Sequence, residues 1–243
     1  MKFVLLLFPI LLAQVNASSI RTVLDRVYDS EQADKGEKLY ESRCVKCHEG
    51  NDPEGPVLIG RTFIERWRED DLEALFSYMS DRMPADEAGS LPSEEYLQLL
   101  SFLLRANSYA SGTQPLTVDA LPGILLVGAD GPKPLPVNTL VQLVGCFTQI
   151  SPEEWSLTQS TPPARSRKGK ETTPEELKKS AAKPLGTHTF PLRNFTNISF
   201  DFKPDPLKGH KVQVKGVLIR QSGSDRINVI AIDTLAPTCG PGR

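Results

Sequence analysis

The sequence contains few of the residues that bind metals: its 243 residues include only three His, three Met and four Cys. Four Cys are too few for a domain held together by disulfides alone. A hydrophobic content of 39%, with 20 Pro and 17 Gly, excludes a disordered or collagen-like chain. The formal net charge of -2 gives no overall reason to expect nucleic-acid binding. The length allows one or two domains, at roughly 100–200 residues per domain.

Long hydrophobic runs are also absent, apart from one at the N-terminus. Lys2 precedes an apolar run over residues 3–12, and Val15-Asn16-Ala17 follows it. This order is typical of a secretory signal peptide over residues 1–17, cut after Ala17, and it predicts an exported, periplasmic protein. The run is shorter than the roughly 20 residues that span a bilayer, so no transmembrane anchor is expected.

Charge divides the remaining chain into two parts. Residues 18–112 carry 11 Lys and Arg against 19 Asp and Glu, whereas residues 113–243 carry 16 against 11. A stretch rich in Ser, Gly, Thr and Pro over residues 107–117 is typical of a linker. We therefore expect two domains, 18–112 and 113–243, which have different partners or attract one another.

One short segment has a spacing of Cys and His that is typical of a cofactor-binding site. Cys44-Val45-Lys46-Cys47-His48 has the spacing of a c-type haem attachment site. Two thiols three positions apart can both form thioethers with the haem vinyl groups, and the adjacent imidazole can bind the iron. A thioredoxin-like pair would need a flanking βαβ pattern, and a zinc site would need a second pair of ligands nearby; the sequence has neither. It therefore predicts one covalent haem c, with Cys44 and Cys47 as the thioether residues and His48 as an axial ligand.

A six-coordinate haem needs a second axial ligand, and only Met79 and Met83 remain as methionines after residue 17. The apolar spacing predicts a helix over residues 70–80 with Met79 in its apolar stripe, so Met79 is expected in the core. Met83 lies off that stripe and directly before Pro84, which favours an extended backbone outside the helix. The residues therefore favour Met83 as the second ligand.

Two predicted helices surround this region. The first, over residues 30–43, contains Gly36, which costs helicity unless another backbone packs closely against it. The second, over residues 93–106, has Ser93 as its expected N-cap and is apolar around most of its circumference. We expect the second helix to cross the first at Gly36.

These features make residues 28–112 similar to class I cytochromes c, and the part after Met83 resembles the small bacterial cytochromes that accompany quinoprotein dehydrogenases. The matching positions are Gly36, Tyr40, Cys44–His48, Gly55–Gly60, Phe63, Trp67, Met83-Pro84, Gly89–Leu91 and Tyr96–Asn107. The resemblance implies an all-α haem domain with Met83 as the second axial ligand. It also implies that the Pro56 carbonyl accepts the His48 N–H and that Trp67 lies against the haem near a propionate.

Ligation by both His and Met leaves no coordination position for a substrate, so an electron carrier is expected rather than an enzyme. The resemblance implies a dehydrogenase as the electron donor and a cytochrome or an oxidase as the acceptor. Two alternatives stay open. One is a haem-based sensor whose Met ligand a small molecule displaces, and the other is a ligand-binding module with a haem domain attached.

The second half has a β-like pattern. A short helix is predicted from Thr173, with Pro174 as its first residue, and a bulge is expected at Gly216. Apolar runs predict strands over residues 140–150, 155–159, 187–192, 210–220 and 226–235. This element order resembles an OB-like barrel, so the predicted fold is an all-α cytochrome c domain followed by a small all-β OB-like domain.

Two further features of this half bear on stability and partners. Cys146 and Cys239 lie near its two ends, and a disulfide is their simplest interpretation in an exported protein; two free thiols are the alternative.

The basic segment over residues 161–170 is expected to be an exposed loop. Binding of single-stranded nucleic acid there would need stacking aromatics, and Trp155 and Phe147 are equally explained as core residues. An exported cytochrome also rarely meets nucleic acid, so we expect none as a partner. The segment is instead a candidate docking face for an acidic protein or for the chain's own acidic domain.

Overall fold

The computed structural model describes residues 20–49, 54–221 and 224–240, so the predicted signal peptide lies outside the described residues. Within those ranges, no helix has the length and apolarity to cross a membrane. The described residues form two separate hydrophobic cores, the first in the helical N-terminal part and the second in the strand-rich C-terminal part.

The N-terminal domain is helical. Asp29 and Asp71 act as N-caps, and their carboxylates accept backbone N–H groups of Gln32 and Ala74. A 3-10 turn over Val23–Asp25 precedes the helices. The helices in the described part of this domain are α1 (Ser30–Arg43), α2 (Val45–His48), α3 (Arg61–Trp67), α4 (Leu72–Arg82) and α5 (Ser93–Ala106).

Helices α1 and α5 cross at Gly36, as the sequence predicts. A Cβ on Gly36 would lie 1.9 Å from the carbonyl oxygen of Gln98, so only glycine permits this approach. The expected N-cap of α5 is wrong: Pro92 is the N-cap and Ser93 is already helical. The reason is that Pro92, with φ -61° and ψ 152°, already supplies the extended backbone of an N-cap.

The first core continues beyond the predicted boundary at residue 112. Backbone N–H groups of Leu72 and Leu125 donate to the carbonyls of Ile124 and Arg21, each at 2.9 Å. This part of the chain contains a 3-10 turn (Val118–Ala120) but no regular period that would reveal burial in the sequence. The side chains that it adds to the first core are Leu116, Leu121, Ile124, Leu126 and Val127.

The C-terminal domain contains the predicted strands and one additional strand of two residues. The strands are β1 (Leu140–Ser151), β2 (Glu154–Ser160), β3 (Ala164–Arg165), β4 (His188–Arg193), β5 (Lys211–Gln221) and β6 (Ser224–Ala236). Strand β3 is too short for a sequence pattern. The helix α6 (Pro174–Ala182) begins after Thr173, whose hydroxyl accepts the N–H of Glu176, as predicted. Short 3-10 turns cover Phe195–Asn197 and Asp205–Leu207.

The strand pairings of the C-terminal domain form a closed ring. Strand β1 pairs antiparallel with β2, β3 and β5, β2 with β4, and β5 with β6, while β4 pairs parallel with β6. Strands β1, β2, β4, β6 and β5 therefore form a closed circuit of pairs. A register shift between Lys215 and Gly216 confirms the expected bulge. A disulfide joins Cys146 of β1 to Cys239, beyond the end of β6.

Candidate haem-binding site

One helical turn brings the two thiols and the imidazole of the attachment motif together. The backbone N–H groups of Cys47 and His48 both donate to the carbonyl of Cys44, at 3.1 and 3.0 Å. Cys44 and Cys47 are half-buried and form no disulfide, and His48 is only 8% exposed. The three side chains that a c-type haem requires are thus presented by α2 and the residue that precedes it.

The orientation of His48 is fixed by the loop that follows. Its Nδ1 lies 2.7 Å from the carbonyl oxygen of Pro56, as the resemblance implies. Because that oxygen can only accept, Nδ1 carries the proton and Nε2 keeps a lone pair for a metal. A Cβ on Gly55 would lie 2.8 Å from Cε1 of His48, so glycine lets the loop pack against the ring. The imidazole is therefore held in the tautomer that ligates through Nε2.

Asn107, at the end of α5, ties the same loop to the helical core. Its Nδ2 donates to the carbonyls of Leu58 at 3.0 Å and Leu103 at 2.8 Å, and its Oδ1 accepts the N–H of Gly60 at 2.8 Å. The sequence gives no signal for this role, because an Asn at a helix end is a common cap. The segment that follows Pro56 is thus tied to the end of α5 at Leu58 and Gly60.

Met83 lies where the sequence predicts, just outside α4. It has φ -126° and ψ 149°, which confirms the extended backbone. Its carbonyl accepts a hydrogen bond from the hydroxyl of Tyr96 at 2.5 Å, a contact that sequence reasoning missed. Met79 belongs to the first hydrophobic core, as expected. Met83 is half-buried and anchored through its backbone.

The electrostatics of the thiols differ from those of a redox pair. Burial raises the pKa of Cys44 to about 11, and Cys47 adds to the increase. A thiol with this pKa is protonated at pH 7, whereas reactive thiols have a lowered pKa. In the part of the chain that the structure describes, no three His, Cys, Asp or Glu residues are grouped to hold a metal ion.

The donor set fits a c-type haem. It offers two free thiols, an imidazole ready to ligate through Nε2, and a thioether on an anchored backbone. Apolar side chains packed against the first core, but still partly exposed, can cover the faces of a porphyrin. They include Cys44, Val45, Leu58, Ile64, Phe76 and Leu91.

Trp67, the remaining predicted pocket residue, is contacted by the C-terminal domain. It is 2% exposed, and the ring of Tyr78 meets it edge-on with centroids 5.2 Å apart. The guanidinium carbon of Arg167 lies 4.0 Å from the centroid of the Trp67 ring. The structure therefore places a residue of the second domain directly on the predicted haem pocket wall.

Arg165 and Arg167 bind the haem domain at Asp70. Arg165 Nε lies 3.1 Å from Oδ1 of Asp70, and Arg167 Nε donates to Oδ2 at 2.9 Å. Burial raises the pKa of Asp70 to about 6 against the lowering effect of both arginines, so the carboxylate is ionised at pH 7. Residues 167–170 are exposed, as expected. Arg165 departs from the expectation, because it lies in β3 and is half-buried. The segment docks on the chain's own acidic domain.

Comparison with known proteins gives one match, in the helical domain. Residues 31–103 match the family model described as cytochrome C oxidase, cbb3-type, subunit III. This range contains the attachment motif and Met83, and it covers less than a third of the chain. A search of the curated proteins and a search of the solved structures gave no match. The family match supports a cytochrome c domain, and with it haem binding and a role in electron transfer.

Proposed function

We propose that this chain is an exported, periplasmic c-type cytochrome that carries single electrons. Cys44 and Cys47 hold one haem c, and His48 and Met83 are its axial ligands. The observation that supports this most is the contact between His48 Nδ1 and the Pro56 carbonyl, 2.7 Å long, beside two free thiols.

Each residue has a separate role. The haem iron, when bound, supplies a centre that takes up and releases one electron. The Pro56 carbonyl keeps the proton of His48 on Nδ1, so that Nε2 would bind the iron, and the Met83 thioether would supply the second ligand. With both positions filled there is no site for a substrate, so the chain carries electrons and is not itself an enzyme. Trp67 forms part of the pocket wall.

The partners are redox proteins. The resemblance to cytochromes that accompany quinoprotein dehydrogenases favours a dehydrogenase as donor and a cytochrome or an oxidase as acceptor. No membrane anchor and no nucleic acid take part in this proposal. Small redox interfaces are brief and weak, which suits a carrier that must dissociate after each transfer.

The C-terminal domain is an OB-like barrel in this proposal. The closed circuit β1-β2-β4-β6-β5, with its one parallel pair between β4 and β6, supports the assignment. The contacts of Arg165 and Arg167 with Asp70 give the domain a role in assembly with the haem domain.

The experiment that tests this function replaces each methionine by leucine in the haem-loaded protein. Met83→Leu is expected to convert the low-spin spectrum to one with an open position, and carbon monoxide should then bind the ferrous form. Met79→Leu is the matched control and should keep the parent spectrum. If the parent itself binds carbon monoxide at pH 7, the chain is a ligand sensor and the carrier proposal fails.

A further inference from the structure

The contact between the two domains is made by a small group of charged side chains. We propose that residues 164–170 form an electrostatic latch, which holds the C-terminal domain against the turn between α3 and α4 and opens without unfolding either domain. The inference goes beyond electron transfer and does not depend on it, because every contact that supports it lies within the chain.

The centre of the latch is Asp70, whose carboxylate receives its cations from the other domain. Arg165 approaches Oδ1 at 3.1 Å, and Arg167 binds Oδ2 through both Nε and Nη2. The adjacent Asp71 behaves differently, because its carboxylate accepts the N–H of Ala74 and caps α4 within its own domain. Asp70 is therefore available to hold the second domain, while Asp71 is committed to the helix.

Arg167 anchors the latch through three kinds of contact at once. Besides binding Asp70, its Nη2 donates to the carbonyl of Arg66 at 2.5 Å, and its guanidinium carbon lies 4.0 Å from the Trp67 ring centroid. A planar guanidinium can pair with a carboxylate and stack on an aromatic face, and a lysine ammonium cannot reproduce that geometry. The latch is thus specific for arginine at this position.

Opening is possible because neither core depends on the contact. The two hydrophobic clusters share no residue. Among the described residues, the other ion pairs between the two parts are Lys179 with Glu73 at 2.6 Å and Arg68 with Asp130 at 3.4 Å. The side chains of Lys179 and Asp130 are 59% and 49% exposed. Exposed pairs contribute little and are screened by salt. Polar contacts between domains of one chain commonly permit relative motion. The side chains of Arg165 and Arg167 also remain 21% and 29% exposed, so salt reaches them and the latch should loosen as ionic strength rises.

The test compares small-angle X-ray scattering of the full-length protein with that of Arg165→Gln/Arg167→Gln and of Lys168→Gln. Lys168 is an exposed cation of the same segment with no contact to Asp70, so its variant controls for the change in charge. The double variant should have a larger radius of gyration and faster protease cleavage between the cores, with each domain still folded. Lys168→Gln should match the parent. Arg167→Lys should lie between the two.

Salt supplies a second measurement that needs no substitution. Raising the salt from about 0.05 to about 0.5 M should expand the parent toward the double variant, which itself should change little. A parent whose scattering equals that of the double variant at every salt concentration would mean that these contacts do not hold the domains. Unfolding of the haem domain in the double variant or in Asp70→Asn would mean that the contacts belong to its core, and would also overturn the latch.

Discussion

The imidazole Nδ1 of His48 lies 2.7 Å from the carbonyl oxygen of Pro56, and this contact connects the attachment motif to the loop that follows it. The loop is in turn fixed by Asn107, which contacts Leu58 and Gly60. The proton on Nδ1 fixes Nε2 as the ligating atom, so a backbone carbonyl eight residues away determines how the side chain can bind iron.

Replacing Gly55 by alanine should disturb this arrangement. A Cβ there would lie 2.8 Å from the His48 ring and 3.3 Å from the Cys47 carbonyl, so the loop must move and the Pro56 contact must lengthen. We expect a loss of about 1–3 kcal/mol in the unfolding free energy. We also expect a higher reduction potential, because a longer Pro56 contact makes the imidazole a less basic ligand for ferric iron. Both are measurable, by denaturant titration and by redox titration of the haem-loaded protein. Gly169→Ala, where the Cβ meets open space, should leave both unchanged; equal effects of the two variants would contradict the packing argument.

Replacing Tyr96 by phenylalanine should weaken the hold on Met83. The variant loses the 2.5 Å hydrogen bond from the Tyr96 hydroxyl to the Met83 carbonyl and keeps the ring. The expected cost is about 1 kcal/mol in stability, with a measurable fraction of ferrous protein that binds carbon monoxide. Tyr78→Phe keeps the edge-on contact with Trp67 and serves as the control. If Tyr96→Phe binds carbon monoxide no better than the parent, the hydrogen bond does not help to hold Met83 on the iron and the prediction is wrong.

Removal of the disulfide should act on the C-terminal domain alone. Cys146 and Cys239 are 93 residues apart, and a cross-link over such a loop stabilises by about 3–5 kcal/mol in the loop-entropy model. The Cys146→Ser/Cys239→Ser variant should therefore unfold at lower denaturant concentration when followed by far-ultraviolet circular dichroism of the strands. The unfolding transition of the haem domain, followed by haem absorbance, should keep the denaturant midpoint of the parent. A shift in both transitions would mean that the two domains unfold as one unit.

Local patterns predicted the parts of the structure that depend on neighbours in sequence. The helical stretch predicted over residues 30–43 is α1 with the same bounds, and the bulge lies at Gly216 as expected. The attachment motif is readable because its chemistry requires fixed spacing. Met83 could be separated from Met79 because the following Pro84 and the helical period act on them differently.

Contacts between distant residues could not be predicted in the same way. Asp70 and Arg167 are 97 residues apart, and neither lies in a motif that identifies the other. Charge asymmetry indicated only that the two halves attract or have different partners. The burial of Leu116 and Ile124 in the first core was also hidden, because an irregular segment has no period to reveal which side chains face inward. Such contacts become visible only when the chain is folded.

The most direct measurement is the mass of the mature chain after denaturation, when it is produced together with a haem-attachment system. The account predicts a chain heavier by the mass of one haem, whose colour survives denaturation, and a colourless Cys44→Ser/Cys47→Ser variant. A denatured parent chain whose mass lacks the haem would contradict the covalent site. So would a Cys44→Ser/Cys47→Ser variant that still carries haem after denaturation.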